Sequence, residues 1–444
     1  MKTAREHFGS RLAVILAMAG SAIGLGNIWR FPYLVGQNGG AAFIIVYIVA
    51  MLVLALPIFI AESIIGRRSG CDTFGAMRKL APGSKWRWLG LLTVITPMIL
   101  LGYYSVVGGW SVDYFFKACA FRFDGNTEGL FGSFISSTWE PLFTHSVFIV
   151  VTAAIILLGV KKGIELFTKI TMPLLFVLIV FLVVYSITLP GAFKGVEYLV
   201  KPDFSKVDIN VVATAMGQAF FSLSLGVGTI LTYASYVSKK ENLLVSAGGT
   251  AFFDLLFALL AGFAVMPAVF AAGIQPGEGA GLVFDTLPFI FGQMHSVLGG
   301  VVAILFFLAI LVAALTSSIS LLEVGVAFLV ERGYSRTKAT IGLAFLTWGI
   351  GIVCSLSFGP LAGVKILDLS IFDFLDKLCS NWLMPLGGLL FTVFVGWKMS
   401  KADVRDEFTN GGTRNVRVFE FVYFLMRYLA PVGIVVVFLT NLLM

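Results

Sequence analysis

Charged residues are scarce in this 444-residue chain. They make up 12% of the sequence, which is roughly half of their share in an ordinary soluble domain. Apolar residues make up 58%, and the mean hydropathy is +0.96. This composition excludes a soluble multidomain protein. Long stretches of strict polar/apolar alternation are also missing, so the repeated apolar runs of about 20 residues predict a membrane-spanning helical bundle and not a β-barrel.

Cysteine and histidine are few as well, with four and three residues. Their spacing matches no metal-binding pattern, so we expect no metal site of that kind and no required disulfide. No nucleophile, base and oxyanion donor lie together, which argues against an enzyme. The formal net charge of +7 needs no nucleic-acid partner, because most basic residues fall on the cytoplasmic side if the N terminus is inside. We therefore expect a multi-pass protein of the inner (plasma) membrane, with its C terminus outside.

Eleven apolar segments are candidates for transmembrane helices. No linker or low-complexity segment divides them, so residues 1–444 are predicted to form a single membrane domain. The loop at about 272–294 is rich in glycine and apolar residues, and we expect it to fold back as a cap. The eleven segments lie at about 11–36, 41–66, 89–116, 146–160, 165–189, 210–237, 243–271, 295–330, 338–357, 370–399 and 417–443.

Two of these segments are interrupted by glycine. The first contains "AMAGSAIGLGNIWRFP" (17–32), and the sixth contains "AMGQAFFSLSLGVGTILTYASY" (215–236). Because five spans separate them, they run in opposite directions, as broken helices do in transporters built from inverted repeats. The prediction is a 5+5 inverted repeat over about 11–189 and 210–399, with an extra helix at about 417–443. A small-residue packing face formed by Gly20 and Gly24 is the competing interpretation.

Five motifs resemble the neurotransmitter:sodium symporter family, and most of all its bacterial amino-acid transporters. They are "REHFGSRLAVILAMAGSAIGLGNIWRFP", "NGGAAFIIVYI", "GQAFFSLSLGVG" with "TYASY", "LTSSIS" and "MRYLAP". The resemblance covers essentially the whole chain. It implies an all-α transporter with broken helices 1 and 6, which imports its substrate together with sodium by alternating access.

The resemblance also implies two sodium sites made of oxygen ligands, which suit this hard ion. The first site would use the Ala22 carbonyl, Asn27, Ser222, Asp254 and the substrate carboxylate. The second would use the carbonyls of Gly20, Ile23 and Ala313 with the hydroxyls of Thr316 and Ser317. Relatives often have Asn where Asp254 stands, and a fixed carboxylate here implies independence from chloride. A buried Asp254 that is simply capped by hydroxyls is the structural alternative.

The same resemblance implies an amino-acid substrate, because Gly24 stands where monoamine-type members have Asp. The substrate carboxylate would meet the amides of Leu25 and Gly26 and the Tyr104 hydroxyl. Its ammonium would meet carbonyls around Ala22, Phe221 and Ser224, with Thr316 nearby. The side-chain pocket would be apolar, which favours a neutral branched or aromatic amino acid. Its residues would be Leu100, Val107, Phe221, Val227, Ser317 and Leu321.

Gates and a hinge are implied in the same way. Arg30 would pair with Asp373 outside, directly or through water. Inside, Arg5 would pair with Glu331, with Ser235 and Tyr236 close by. Gly163 and Pro173 would form a hinge in the fifth span. The sequence departs from the family at Phe8 and Glu323, where relatives often have Trp and Gln, so we expect a looser or differently connected inner seal.

Other functions stay open at this stage. The nearest alternative is a chloride-dependent symporter of another small amino acid. A channel, or a transporter-like receptor that works without sodium, would represent other classes of protein. The expected partners are the amino acid, sodium ions and the lipid bilayer, while the sequence does not fix the oligomeric state.

Overall fold

The computed structural model describes residues 8–123, 127, 129–274, 281–294 and 296–443. Most of them are helical, and the one sheet in this part of the chain is a two-stranded antiparallel hairpin of Lys365–Ile366 and Leu369–Ser370. The long helices are Ala41–Ser69, Arg87–Cys119, Trp139–Leu157, Val160–Ile187, Leu243–Ala271, Val297–Val330, Arg336–Leu356, Ile371–Lys398 and Val416–Thr440. The shorter helices are Arg11–Ala22, Gly26–Gln37, Thr73–Leu80, Leu130–Ser136, Phe193–Val200, Phe204–Lys206, Ile209–Ser222, Thr229–Ala234, Leu282–Gln293 and Lys401–Thr409.

The all-helical, multi-span architecture is confirmed. Within the described residues, nine helices are long and apolar enough to cross a membrane, and the bent pair Arg11–Ala22 and Gly26–Gln37 makes a tenth span. The sixth predicted span is present as two short helices, Ile209–Ser222 and Thr229–Ala234, on either side of a longer break. The count of eleven spans therefore stays a prediction.

The first span breaks where the glycines predict it. Its first helix ends at Ala22, and Ile23 takes an extended conformation (φ −75°, ψ 99°). The Asn27 side chain then accepts a hydrogen bond from the Gly24 N–H (3.2 Å), and the axis bends by 55° between the two halves. Backbone groups that a regular helix would pair internally are thus free to face the centre of the protein.

The sixth span breaks in a different way. Ser224, Gly226 and Gly228 all have positive φ (51°, 78° and 74°), a conformation that glycine adopts without steric cost. The buried Glu62 carboxylate accepts a hydrogen bond from the Gly226 N–H (2.7 Å). A side-chain acceptor from the second span therefore replaces a helical partner inside the membrane.

The predicted cap is present over its described part. Leu282–Gln293 is helical and buries most of its apolar side chains. Phe284 lies edge-on to Trp110 and Tyr114 of the third span, with ring centroids 5.8 and 5.1 Å apart. Residues 275–280 of the same loop lie outside the described residues.

One predicted boundary differs from the structure by several residues. The charged "VKKGIE" segment reads as a loop between the fourth and fifth spans, yet Val160–Glu165 is already the first turn of the fifth. Gly159 makes the turn with φ +85°, and the side chains of Lys161 and Lys162 are exposed. Both lysines belong to a helix, and their charged groups reach water. The sequence alone does not reveal this arrangement.

Candidate functional site

A cavity lies between the two broken spans at the centre of the protein. Its empty space is about 380 Å³ when the part that opens to solvent is included. Eleven of the thirteen predicted substrate residues line it: Ala22, Gly24, Leu25, Gly26, Leu100, Tyr104, Phe221, Ser224, Val227, Ser317 and Leu321. Val107 and Thr316 are buried elsewhere. Ser21 and Met384 also line the cavity and were not predicted.

Polar groups gather at the end of the cavity formed by the break in the first span. The Leu25 N–H donates to the Tyr104 hydroxyl (3.4 Å). The Ser21 carbonyl accepts from the hydroxyls of Ser224 (2.9 Å) and Ser317 (3.3 Å). A β-carbon on Gly24 would collide with the Ser317 hydroxyl and approach the Tyr104 hydroxyl to 3.1 Å, so only glycine leaves this end open.

The remaining lining of the cavity is apolar. Leu100, Val227, Leu321 and Met384 are buried there, and Phe221 is half-buried. No charged side chain is among the residues that line the cavity. A ligand held here would thus combine polar groups with an uncharged, apolar part.

A buried carboxylate lies next to this cavity. Asp254 accepts hydrogen bonds from Asn27 (Nδ2 to Oδ1, 2.8 Å), from Ser222 (2.8 and 2.9 Å) and from the Tyr47 hydroxyl (3.4 Å). Asn27, Ser222 and Asp254 are at most 1% exposed. Three predicted ligands of the first sodium site are therefore together, and Ala22 lies nearby in the wall of the cavity. Their oxygen atoms are the ligand type that a hard cation prefers.

Thr316 joins the first and eighth spans at the second predicted sodium site. Its hydroxyl lies 2.9 Å from the Ala313 carbonyl and 3.4 Å from the Ile23 carbonyl. A β-carbon on Gly20 would be 3.5 Å from the Thr316 β-carbon. Ser317 follows on the same helix and bonds to Ser21. The break at Ile23 thus brings backbone carbonyls next to a threonine and a serine in a buried place.

Comparison with known proteins assigns the chain to a family. The model of the Sodium:neurotransmitter symporter family matches residues 5–126 and 135–444. The chain belongs to this family. It is 38% identical to the sodium-dependent transporter YhdH of Bacillus subtilis (97% of this chain, 96% of the relative). It is 36% identical to a sodium-dependent transporter of Haemophilus influenzae (99% and 98%).

A solved structure of the same kind matches over almost the whole length. The chain is similar to MhsT in complex with L-phenylalanine, with a TM-score of 0.91 and 42% identity over 99% of this chain and 100% of that one. As a member of the sodium:neurotransmitter symporter family, the protein is a membrane transporter and not an enzyme. Membership also confirms the resemblance found in the sequence and implies sodium as an ion partner.

The predicted outer gate residues of this family member are not directly paired. The Arg30 guanidinium lies 4.6 Å from the centre of the Phe221 ring, at the edge of the cavity. Asp373 receives a hydrogen bond from the Ser370 hydroxyl instead (2.6 Å). Both side chains are described, and no ion pair joins them. A pair mediated by water stays a prediction.

On the predicted inner side, the pairing of Arg5 with Glu331 stays a prediction. Arg5 lies outside the described residues, and Glu331 accepts a hydrogen bond from the Asp72 N–H (2.6 Å). The Tyr236 hydroxyl bonds to Glu323 (2.8 Å), whose carboxylate also binds Arg336 (2.5 Å). The adjacent Ser235 hydroxyl donates to the Thr232 carbonyl (2.5 Å).

Phe8 seals the same region. Its ring lies edge-on to Tyr233 and Tyr236, with centroids 5.9 and 6.1 Å apart, and its N–H donates to the Tyr236 carbonyl (3.3 Å). The side chain is 8% exposed, so the phenylalanine ring is packed into this region. Glu323 is connected through Arg336, a partner that sequence reasoning did not identify because it comes from the next span.

The predicted hinge lies at the start of the fifth span. Gly163 is buried in the π-helical turn Val160–Glu165, and a β-carbon there would collide with the Ile155 carbonyl of the fourth span. Pro173 lies inside the continuous helix Leu166–Ile187. The irregular geometry is therefore concentrated at Gly159 to Glu165, while its use as a hinge stays a prediction.

Proposed function

We propose that the protein is a symporter that imports a neutral, hydrophobic α-amino acid together with two sodium ions, without chloride. The observation that carries this proposal is the mixed lining of the central cavity. Backbone N–H groups and a tyrosine hydroxyl are polar partners there, and the rest of the lining is largely apolar and has no charged side chain. An α-amino acid has the matching polar and apolar parts.

The carboxylate of the substrate fits the end at the break of the first span. The N–H groups of Leu25 and Gly26 begin the second half of that span, where the helix dipole favours an anion. Tyr104 accepts a hydrogen bond from Leu25 and keeps its own proton for the carboxylate. The ammonium group would face the Ala22 carbonyl and the Ser224 hydroxyl, which belong to the same polar part of the cavity.

The side chain of the substrate is proposed to be branched or aromatic. Leu100, Val227, Leu321 and Met384 would surround it, and a charged group among them would be buried without a partner. The similarity to MhsT in complex with L-phenylalanine supports this class of substrate. Within that class, the lining residues do not select one amino acid.

Two sodium ions are proposed from the two oxygen clusters. The first includes Asn27, Ser222 and Asp254, and the second is centred on Thr316. Since Asp254 supplies a fixed negative charge beside the first cluster, transport needs no chloride. With a tenfold sodium gradient and 100 mV, two ions supply on the order of 7 kcal/mol, enough for a roughly 10⁵-fold accumulation of a zwitterion.

Transport is proposed to follow alternating access, with the N terminus in the cytoplasm. The outer gate would close as Arg30 and Asp373 approach each other over Phe221. The inner gate would open when the contacts of Phe8 with Tyr233 and Tyr236 separate. The irregular turn at Gly163 would then admit water to the second sodium site.

Purified protein in liposomes tests the substrate class. We expect sodium-driven uptake of radiolabelled phenylalanine to be inhibited by leucine, isoleucine and tryptophan and not by aspartate, lysine or glycine. Replacing chloride by gluconate should leave the rate unchanged. Inhibition by charged amino acids, or a loss of uptake in gluconate, contradicts the proposal.

A pocket variant sharpens this test. Val227→Phe should shift preference from aromatic to smaller amino acids by about tenfold, because Val227 is completely buried in the wall of the cavity. Val245→Phe is the matched control, since Val245 is 43% exposed on the outside of the seventh span. Equal effects of the two substitutions would count against the assigned pocket.

A further inference from the structure

Two hydroxyl groups on the seventh span are buried and have no hydrogen-bond partner among the described residues. They belong to Ser246 and Thr250, which are 2% and 0% exposed. Most serine and threonine side chains in the other spans bond back to a carbonyl one turn earlier, as Thr152 does to Phe148 (2.9 Å) and Thr347 to Leu343 (3.0 Å). Leaving a buried hydroxyl without a partner is costly, so this pair requires an explanation.

The two hydroxyls are in line with the buried carboxylate. Ser246, Thr250 and Asp254 follow each other at intervals of four residues, which places them on one face of the helix. The helix rises about 1.5 Å per residue, so Ser246 lies roughly 12 Å from Asp254 along the axis. The seventh span begins at Leu243, and the polar line therefore runs from the proposed first sodium site to the nearer end of that span.

The first half of the first span covers the neighbouring part of this helix. A β-carbon on Gly249, next to Thr250, would be 3.4 Å from Ile15. At the same end, Arg11 and Glu241 form an ion pair (3.5 Å). Moving the helix Arg11–Ala22 away from the seventh span would uncover this region.

Two more buried hydroxyls have no partner among the described residues. They are Ser63 of the second span and Thr232 in the second half of the sixth. These two spans meet where a β-carbon on Gly66 would collide with the Leu231 carbonyl. These spans thus contain several buried hydroxyl oxygens that no described protein group satisfies and that water would satisfy.

We propose that Ser246 and Thr250 line the path by which the ion at the Asp254 site leaves for the cytoplasm. This path differs from the proposed entry of water at Gly163, which lies at the start of the fifth span. In this structure no described protein group bonds to either hydroxyl. When Arg11–Ala22 moves, water reaches them and hydrates the departing ion. The inference rests on the proposed function, since it assumes that sodium binds at Asp254.

Accessibility of introduced thiols tests the path. Ser246→Cys and Thr250→Cys would be made in a Cys71→Ser background, because Cys71 is partly exposed, and a cationic methanethiosulfonate reagent would be applied to the cytoplasmic face. We expect Thr250→Cys to react at least about tenfold faster in potassium than in sodium. Thr347→Cys, whose native side chain is equally buried but bonded to Leu343, should stay unmodified. No reaction at either path position, or equal rates in both salts, overturns the proposal.

Transport measurements separate this inference from the proposed function. Thr250→Val keeps the shape of the side chain and removes its hydroxyl. We expect net sodium-driven uptake to fall about tenfold, while exchange of substrate with saturating sodium on both sides changes less than about twofold, because exchange does not require the ion to leave. Equal losses in both assays, or no loss in either, refute the path. If uptake by the wild type does not depend on sodium, the proposed function is refuted instead.

Discussion

Removing the charge of Asp254 should weaken sodium binding strongly. Asp254→Asn keeps an oxygen that can accept from Asn27 and Ser222, so the hydrogen-bond network around it survives in outline. What is lost is the attraction between two unit charges, which is about 4 kcal/mol at about 4 Å with an effective dielectric constant of about 20. Because the charged site also costs desolvation energy, we expect a net loss of about 2 kcal/mol. This corresponds to a roughly 30-fold weaker sodium affinity.

Sodium dependence of substrate binding is the assay for this variant. The sodium concentration that gives half-maximal binding of labelled phenylalanine would be measured for the wild type and for Asp254→Asn, each in chloride and in gluconate. Chloride should restore part of the affinity in the variant and have no effect on the wild type. Asp403→Asn removes an acidic group that is about half-exposed on the helix Lys401–Thr409, and it should behave as the wild type. A half-maximal concentration within threefold of the wild-type value for Asp254→Asn would refute the reasoning.

Three further substitutions test other parts of the site and the fold. Gly24→Ala should reduce substrate binding by more than about 100-fold, since the added methyl group collides with Ser317; Gly349→Ala, which meets nothing within 4 Å, should leave equilibrium binding unchanged. Thr316→Val should raise the sodium requirement by about tenfold, and a normal sodium titration would exclude Thr316 as a ligand. Outside the membrane, burial raises the pKa of Asp72 above its ordinary value, although Arg332 and the N–H groups of Gly75 and Phe74 oppose this. Because this pKa is higher in the folded state than in the unfolded chain, the free energy of unfolding falls as rising pH ionises Asp72. Asp72→Asn should melt a few degrees higher than the wild type at pH 8, with a gain that shrinks towards pH 4, and a gain that grows on acidification would contradict the assigned direction.

Much of the central site could be predicted from the sequence because its signals are local. The glycines of 17–32 and 215–236 interrupt apolar runs where a break in a membrane helix would leave backbone groups without partners. Both breaks are present. The family motifs then placed Asn27, Ser222 and Asp254 together, although Asp254 comes from a span with a weak motif. Met384 was missed because nothing in its own sequence neighbourhood marks it, and only the packing of the tenth span brings it to the cavity.

Contacts between distant, charged residues were harder to predict. The sequence does not show that Glu323 would form an ion pair with Arg336, because this contact depends on how two spans pack together. Nor does it show that Arg30 rests on Phe221 while Asp373 is held by Ser370. Gate pairs of this kind change partners between conformations of a transporter, so one sequence is compatible with several pairings. The lack of a described partner for the hydroxyls of Ser246 and Thr250 can be recognised only from the positions of all neighbouring groups.

Sodium coupling is the central claim, and accumulation against a gradient tests it most directly. Liposomes containing the protein would be given equal phenylalanine concentrations on both sides and an inward sodium gradient, with potassium replacing sodium in the control. The account predicts that phenylalanine rises inside above its external concentration, and that the rise disappears in potassium or when sodium is equal on both sides without a membrane potential. Equilibration to the same internal level in all three conditions would contradict it.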